Sequence, residues 1–156
     1  MSNLKTLHKV VEIAEKRRKD ALLTLGQQKR EWQIAKDQMD QLEAYAQEAE
    51  QRWELRSGAG VDAAMLHHHR HFMQKIQHAI EFQLGVLRER QDKVDQSQTL
   101  VFAAERDVAG LRKFADRRAQ SLALHNTRLA QKANDEMALN IHLRQKHSST
   151  SHGFRT

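Results

Sequence analysis

Residues 80–108 read IEFQLGVLRERQDKVDQSQTLVFAAERDV, with an apolar side chain at every seventh position. The same column runs outward to residues 66 and 143, and Glu136 is its one polar member. The full column is Leu66, Met73, Ile80, Leu87, Val94, Val101, Val108, Ala115, Leu122, Leu129, Glu136 and Leu143. A strict seven-residue repeat keeps one apolar face only when a slightly underwound helix winds around a partner, so it predicts a left-handed coiled coil.

A second column lies three residues further along and is mixed in character. Its members are His69, Ile76, Gln83, Arg90, Ser97, Ala104, Leu111, Arg118, His125, Lys132 and Leu139. An almost wholly apolar column beside a column of mixed polarity predicts a thin contact between two helices, with little room for a globular core.

The N-terminal part of the chain has an apolar stripe of its own, with alternating spacings of three and four residues. Its positions are Leu4, Leu7, Val11, Ala14, Arg18, Ala21, Leu25, Gln28, Trp32, Ala35, Met39, Leu42, Ala46, Ala49, Trp53 and Arg56. Residues 57–60, with the sequence SGAG, follow the stripe, and glycine supplies the left-handed conformation that closes a helix. Asp62 can cap the next helix because its carboxylate accepts hydrogen bonds from amides of the first turn.

Two stripes joined by a short turn predict an all-α fold, a long antiparallel two-helix coiled-coil hairpin in which helix 2 is longer than helix 1. The predicted bounds are helix 1 at residues 3–56, a turn at 57–61, helix 2 at 62–147 and a flexible tail at 148–156. Pairing about a centre near residue 59 places Leu4 near Ala115 and Trp32 opposite Gly85, where the missing side chain would admit the indole. Helix 2 therefore extends past its partner beyond about residue 115.

The composition argues against several classes of protein. The 156 residues include no proline and no cysteine, and 5% are aromatic and 29% charged, which is typical of long helices. No apolar run approaches the roughly 20 residues that span a bilayer, and the N-terminus has no signal-peptide core. We therefore expect a cytoplasmic helical protein without direct membrane insertion.

Residues able to support catalysis are scarce. His67 and His71 have the i, i+4 spacing of helical zinc ligands, but no third ligand with suitable spacing accompanies them. The sequence has no phosphate-binding glycine loop and no serine or cysteine nucleophile motif, and a two-helix rod offers no pocket around its carboxylates. The sequence predicts a protein that is not an enzyme and holds no metal and no cofactor.

The predicted unpaired end of helix 2 keeps its apolar column, at Leu122, Leu129, Leu139 and Leu143. A lone helix with an unburied apolar stripe is marginal in water and tends to acquire a partner. The favoured interpretation is a dedicated partner, and the alternatives are fraying of this end or dimerisation of two copies through it.

Basic residues concentrate near both ends of the chain, within a formal net charge of +6. They are Lys5, Lys9, Lys16, Arg17, Arg18, Lys19, Arg112, Lys113, Arg117, Arg118, Arg128, Lys132, Arg144 and Lys146. The predicted hairpin brings these two sets together, and the electrostatic field of such a basic cluster can steer a charged partner. The alternative is that the charges only keep the helix faces solvated. A nucleic-acid partner is not expected, because interleaved aromatic residues are missing; a basic coiled coil that binds nucleic-acid phosphates is kept as an alternative.

Several short motifs follow one another in a distinctive order. They are Leu4-x-x-Leu7, Ala14-Glu15-Lys16, Leu25-Gly26, Gln38-x-x-x-Leu42-x-x-Tyr45, the Gly58-x-Gly60 turn, and Phe72 with Ala79-Ile80-Glu81. In their order, their spacing and their position relative to the turn, these motifs resemble the FliJ family of the bacterial flagellar export apparatus, and the resemblance covers the whole chain.

The resemblance implies a non-enzymatic central stalk and adaptor protein, similar to the coiled-coil part of the rotary ATPase gamma subunit. Proteins of this family associate with the hexameric flagellar export ATPase, with the cytoplasmic domain of the export gate protein FlhA, and with export chaperones that they help to recycle. The implied setting is flagellum biogenesis, motility and type III protein export, in the cytoplasm and peripheral to the inner-membrane export apparatus. The equivalent stalk protein of a virulence injectisome is an alternative, because it shares the same mechanics.

The resemblance also assigns residues to contacts. The positions that match the gate-protein contact of the family are Gln38, Leu42, Tyr45, Phe72, Ile76 and Ala79. Two positions depart from the pattern, since Ala49 stands where an aromatic residue can extend the patch and Gln83 where a histidine can occur. Contacts with the ATPase ring are predicted at Lys16, Arg17, Arg18, Lys19, Arg117, Arg118, Leu122 and Leu129.

Overall fold

A computed structural model of the protein describes residues 2–152, which form two helices. Helix α1 is Ser2–Ser57, with 56 residues, and helix α2 is Ala63–His152, with 90 residues. No strand occurs within the described part of the chain. The all-α prediction is confirmed, as is the greater length of the second helix.

The turn between the helices is closed by backbone hydrogen bonds. The Ala59 amide donates to the Arg56 carbonyl at 3.1 Å, and the Gly60 amide donates to the Ser57 carbonyl at 3.4 Å. Gly60 has a φ of 93°, a left-handed conformation that glycine adopts without the clash a Cβ would cause. Asp62 then caps α2, because its Oδ1 accepts from the Met65 amide at 2.8 Å.

The described chain divides into two units, the first of which is residues 13–108. Both predicted stripes face inward there, and the buried apolar side chains are Ala14, Leu25, Ala35, Met39, Ile76, Val101 and Val108. We call this inward-facing set of positions the seam. The mixed column of α2 is as deeply placed as the apolar one, since Gln83 and Ser97 are also buried. The seam therefore encloses polar groups that must find partners within it.

Contacts between the helices define the register of this unit. The Arg90 guanidinium meets the Glu31 carboxylate at 2.8 Å, near the middle of the unit. Nearer the turn, the Trp53 and His69 rings stack with their centroids 4.2 Å apart. In both pairs, the midpoint between the two residue numbers is close to residue 60. This agrees with the predicted pairing about a centre near residue 59.

One detail of the predicted register is wrong, because the Trp32 indole does not fill the space at Gly85. A Cβ built on Gly85 would meet nothing within 4 Å, and Gly85 is exposed. Trp32 instead lies with Gln91 and Val94 around a hollow on the side of the hairpin. The reason is helical geometry. Gly85 lies two residues from Gln83 in one column and two residues from Leu87 in the other, and two residues of an α-helix span a rotation of about 200°, so Gly85 points away from the seam.

The second unit comprises residues 2–12 of α1 and 109–152 of α2. Here Ala115 is buried and Leu122 is half-buried, whereas every residue from 123 to 150 is exposed. We call residues 123–152 the overhang.

The end of α2 also departs from the predicted bounds. A flexible tail is predicted from residue 148, but the helix continues through His152, and residues 153–156 lie outside the described part of the chain. Side-chain hydroxyl groups bond to carbonyls of the last turns, since Ser149 Oγ donates to the Lys146 carbonyl at 2.9 Å and Thr150 Oγ1 donates to the same carbonyl at 3.0 Å. At their other ends, both helices lie within a residue of prediction.

Candidate partner-binding surfaces

The clearest candidate contact surface is an aromatic pair that joins the two helices in the unit of residues 13–108. Tyr45 of α1 and Phe72 of α2 meet edge to face, with ring centroids 6.0 Å apart and an interplanar angle of 65°. Both rings also reach solvent, since Tyr45 is 57% exposed and Phe72 is 40% exposed. Aromatic side chains that are rigidly held and accessible are the usual anchors of protein interfaces.

The other residues of the predicted gate contact differ in depth. Gln38 is exposed and Leu42 and Ala79 are half-buried, so these three can form a rim around the aromatic pair. Ile76, however, is 7% exposed and belongs to the seam. It can support the patch from beneath, but it offers a partner almost no surface.

Gln83 is buried as well and acts inside the hairpin. Its Nε2 donates to the Ala35 carbonyl at 2.9 Å and to Gln38 Oε1 at 3.2 Å. The residue therefore links the seam to Gln38 at the rim of the patch. At the other departure from the family pattern, Ala49 lies on the wall of a groove next to Tyr45.

This groove extends from the aromatic pair toward the turn and has a volume of about 480 Å³. It is lined by Tyr45, Glu48, Ala49, Arg52, Trp53, Arg56, Met65, His68, His69 and Phe72. Sequence reasoning missed its turn-proximal half. The available signal was the position of Trp53, an indole at the last apolar position of the α1 stripe, where the seam is too narrow to cover it.

Two contacts hold the groove wall in place. The His69 ring lies flat on the Trp53 indole at an interplanar angle of 6°, and His69 Nε2 is 3.7 Å from the Glu50 carboxylate. On α1, Arg52 pairs with Glu48 one helical turn away, at 3.0 Å. These contacts join neighbouring side chains of the wall, although each exposed pair adds little to stability.

A similar ion pair lies further along α1, where Lys36 Nζ is 3.0 Å from the Asp40 carboxylate. The hydrogen bond to Asp40 and the charge of its carboxylate raise the pKa of Lys36. Both side chains are exposed, and the pair satisfies charges on the helix surface.

The predicted ring-contact residues fall into the two units. Lys16, Arg17 and Lys19 are exposed and Arg18 is half-buried, all within residues 13–108. In the unit that contains residues 109–152, Arg117 and Arg118 are exposed. Leu122 is half-buried there, and Leu129 is 53% exposed.

The overhang presents apolar side chains to solvent from Leu124 to Leu143. The exposed ones are Leu124, Leu129, Met137, Leu139, Ile141 and Leu143. At its start, Arg117 and Arg128 flank Leu124 around a shallow hollow of about 390 Å³. Apolar groups framed by cations suit a partner surface that offers both apolar area and carboxylates.

The histidines near the turn form a surface cluster. The His67 and His71 rings are nearly parallel, with centroids 6.5 Å apart. Within the described residues, no group of three or more histidine, cysteine, aspartate or glutamate side chains is placed to hold a metal ion.

The fold is thus an all-α coiled-coil hairpin of two helices, with an aromatic groove in the unit of residues 13–108 and an exposed helical end in the other unit. The sequence matches the family described as flagellar FliJ protein over residues 3–147 of the 156-residue chain, so the protein belongs to the FliJ family. It is thus a coiled-coil protein related to flagellar protein export, from a family that is structural and not catalytic. No individual curated protein matches the chain. Neither helix, over its described residues, is apolar enough across a sufficient length to span a membrane.

Proposed function

We propose that this protein is the central stalk and adaptor of the flagellar type III export apparatus. The overhang and the predicted basic residues bind the ring of the hexameric export ATPase. The Tyr45–Phe72 surface binds the cytoplasmic domain of the gate protein FlhA. The protein works in the cytoplasm, peripheral to the inner-membrane export apparatus, and so serves motility. The observation that carries the proposal is the overhang, an exposed helix with apolar side chains in a chain of the FliJ family.

The ring contact rests on the chemistry of the overhang and of the residues before it. A single helix with exposed leucines gains stability when a partner covers them, because each buried leucine contributes on the order of 2 kcal/mol. A ring surrounds a helix on all sides, which suits a segment that is exposed all round. Arg117 and Arg118 lie just before the overhang and would meet acidic or polar loops, and Lys16–Lys19 supply further cations.

The gate contact rests on the aromatic pair. Tyr45 and Phe72 are exposed and in mutual contact, so a partner could cover both without any rearrangement of the hairpin. Binding to export chaperones, and help with their recycling, rest on family membership alone.

The ring contact is tested by removing the overhang. Truncation after Leu122 leaves all the buried seam positions in place, so the hairpin should stay folded, as circular dichroism would verify. We expect the truncated protein to lose its stimulation of ATP turnover and hexamer formation by the export ATPase. Equal stimulation by the truncated and full-length proteins would place the ring contact elsewhere in the chain.

A charge-reversal variant tests the contribution of the cations to the ring contact separately from that of the leucines. Arg117→Glu combined with Arg118→Glu should reduce the stimulation at low salt, and the difference from wild type should shrink as salt screens the interaction. Arg88→Glu combined with Arg106→Glu makes the same change of charge at exposed positions of α2 outside the proposed contact, and should leave stimulation unchanged.

The gate contact is tested on the aromatic pair. Tyr45→Ala and Phe72→Ala should each weaken binding to the FlhA cytoplasmic domain by about 2 kcal/mol, roughly 30-fold in Kd, as anchors at interfaces commonly do. Phe82→Ala is the matched control, because Phe82 lies on the same helix, is 74% exposed and does not line the groove. A large loss of thermal stability in either variant would mean that its ring serves packing and not binding.

A further inference from the structure

The groove extends from the Tyr45–Phe72 pair toward the turn, and these two rings form only part of its lining. Its volume of about 480 Å³ is within the range of pockets that enclose small ligands, so it can accept one or two side chains from a partner. Beyond Tyr45 and Phe72, the large apolar side chains of its lining are Trp53 and Met65.

Each of these apolar groups is suited to contact. Met65 is 45% exposed, and its flexible thioether can adapt to the shape of an inserted side chain. Trp53 is half-buried and is held by the stacked His69 ring, so little conformational freedom remains for it to lose on binding.

The charges around the groove are unequal. Glu48 is the one carboxylate in the lining, and it is held by Arg52 at 3.0 Å. The Arg56 guanidinium also lines the groove and forms no ion pair within the described residues. Two guanidinium groups, those of Arg52 and Arg56, stand against this single carboxylate, so the lining has a surplus of positive charge that a carboxylate from a partner would complement.

We propose that this groove is the turn-proximal half of the gate contact. It accepts, from the cytoplasmic domain of the gate protein, a segment that carries an apolar side chain next to a carboxylate. The apolar side chain lies between Trp53, Met65 and Phe72, and the carboxylate pairs with Arg56. This inference rests on the proposed gate contact, because Tyr45 and Phe72 belong both to that surface and to the groove.

The test compares three single variants near the turn by calorimetric titration with the purified FlhA cytoplasmic domain. Met65→Glu places a charge in the apolar part of the groove, and Arg56→Glu reverses the unpaired cation; each should weaken binding at least about 10-fold. Leu55→Glu is the matched control, because Leu55 adjoins Arg56 in sequence, is 82% exposed and does not line the groove, so its Kd should change less than about 2-fold.

Two further measurements sharpen the result. The loss caused by Arg56→Glu should diminish at high salt, because it acts through charge. Met65→Gln repeats the apolar test without an added charge and should give an intermediate loss of affinity. Circular dichroism should show wild-type helicity throughout, because all three substituted positions are exposed.

The outcomes separate this inference from the proposed function. Wild-type affinity in Met65→Glu, Met65→Gln and Arg56→Glu, together with weak binding by Tyr45→Ala, would overturn the groove as a binding site and leave the gate contact in place. Wild-type affinity in Tyr45→Ala and Phe72→Ala would overturn the gate contact at the aromatic pair, and the groove inference with it.

Discussion

Val101 and Leu129 belong to the same seven-residue column of α2, yet Val101 is 2% exposed and Leu129 is 53% exposed. The last buried position of the column is Ala115, Leu122 is half-buried, and residues 123–150 are exposed, so the internal partner helix α1 accounts for the burial of only part of the column. A heptad repeat therefore specifies which face of a helix is apolar, but not what covers that face. In this protein the column continues past the end of its internal partner, and that continuation is the basis of the proposed ring contact.

The largest expected effect comes from placing the same charge in both halves of the column. Val101→Asp buries a carboxylate without a partner and should lower the free energy of unfolding by about 3 kcal/mol or more. Leu129→Asp should change it by less than about 0.5 kcal/mol, because that side chain is already in water. Urea denaturation followed by circular dichroism measures both.

A large loss in Leu129→Asp would contradict the comparison. It would mean that the overhang is covered in solution, and a dependence of the unfolding midpoint on protein concentration would identify a second copy of the chain as the cover.

A smaller effect is expected at Gln83, the buried polar residue of the seam. Gln83→Leu removes both hydrogen bonds but leaves no buried group stranded, because the Ala35 carbonyl keeps its helical partner and the exposed Gln38 can bond to water. Stability should change by less than about 1 kcal/mol. Calorimetric unfolding measures the change.

Gln83→Glu is the matched comparison, because it keeps the shape and adds a charge. Its carboxylate should cost about 2 kcal/mol at neutral pH. Burial would raise its pKa, so the cost should fall as pH is lowered and the group is protonated. Equal stability of the two variants at neutral pH would indicate that water reaches this part of the seam.

The two candidate surfaces differ in how far the sequence could predict them. The family pattern assigns Tyr45 and Phe72 to one surface, and pairing of the helices about a centre near residue 59 is consistent with their contact. The turn-proximal half of the groove was not anticipated, because its lining combines residues from a stripe, from a helix surface and from the first turn of α2. Side chains with no common periodicity come together only when two helices have packed.

The sequence alone was sufficient for the two helices, the turn with its Asp62 cap, the inward faces and the approximate register. These properties depend on local periodicity, on the position of the glycines and on the reversal of the chain at the turn, and each of these can be read from the amino-acid sequence. The tertiary structure decided how deeply Gln83 and Ile76 are buried within those faces, and that Ala115 is the last buried position of the column. Those outcomes depend on the direction in which each side chain leans and on how closely two helices approach, and neither quantity is set by the spacing of residues along one chain.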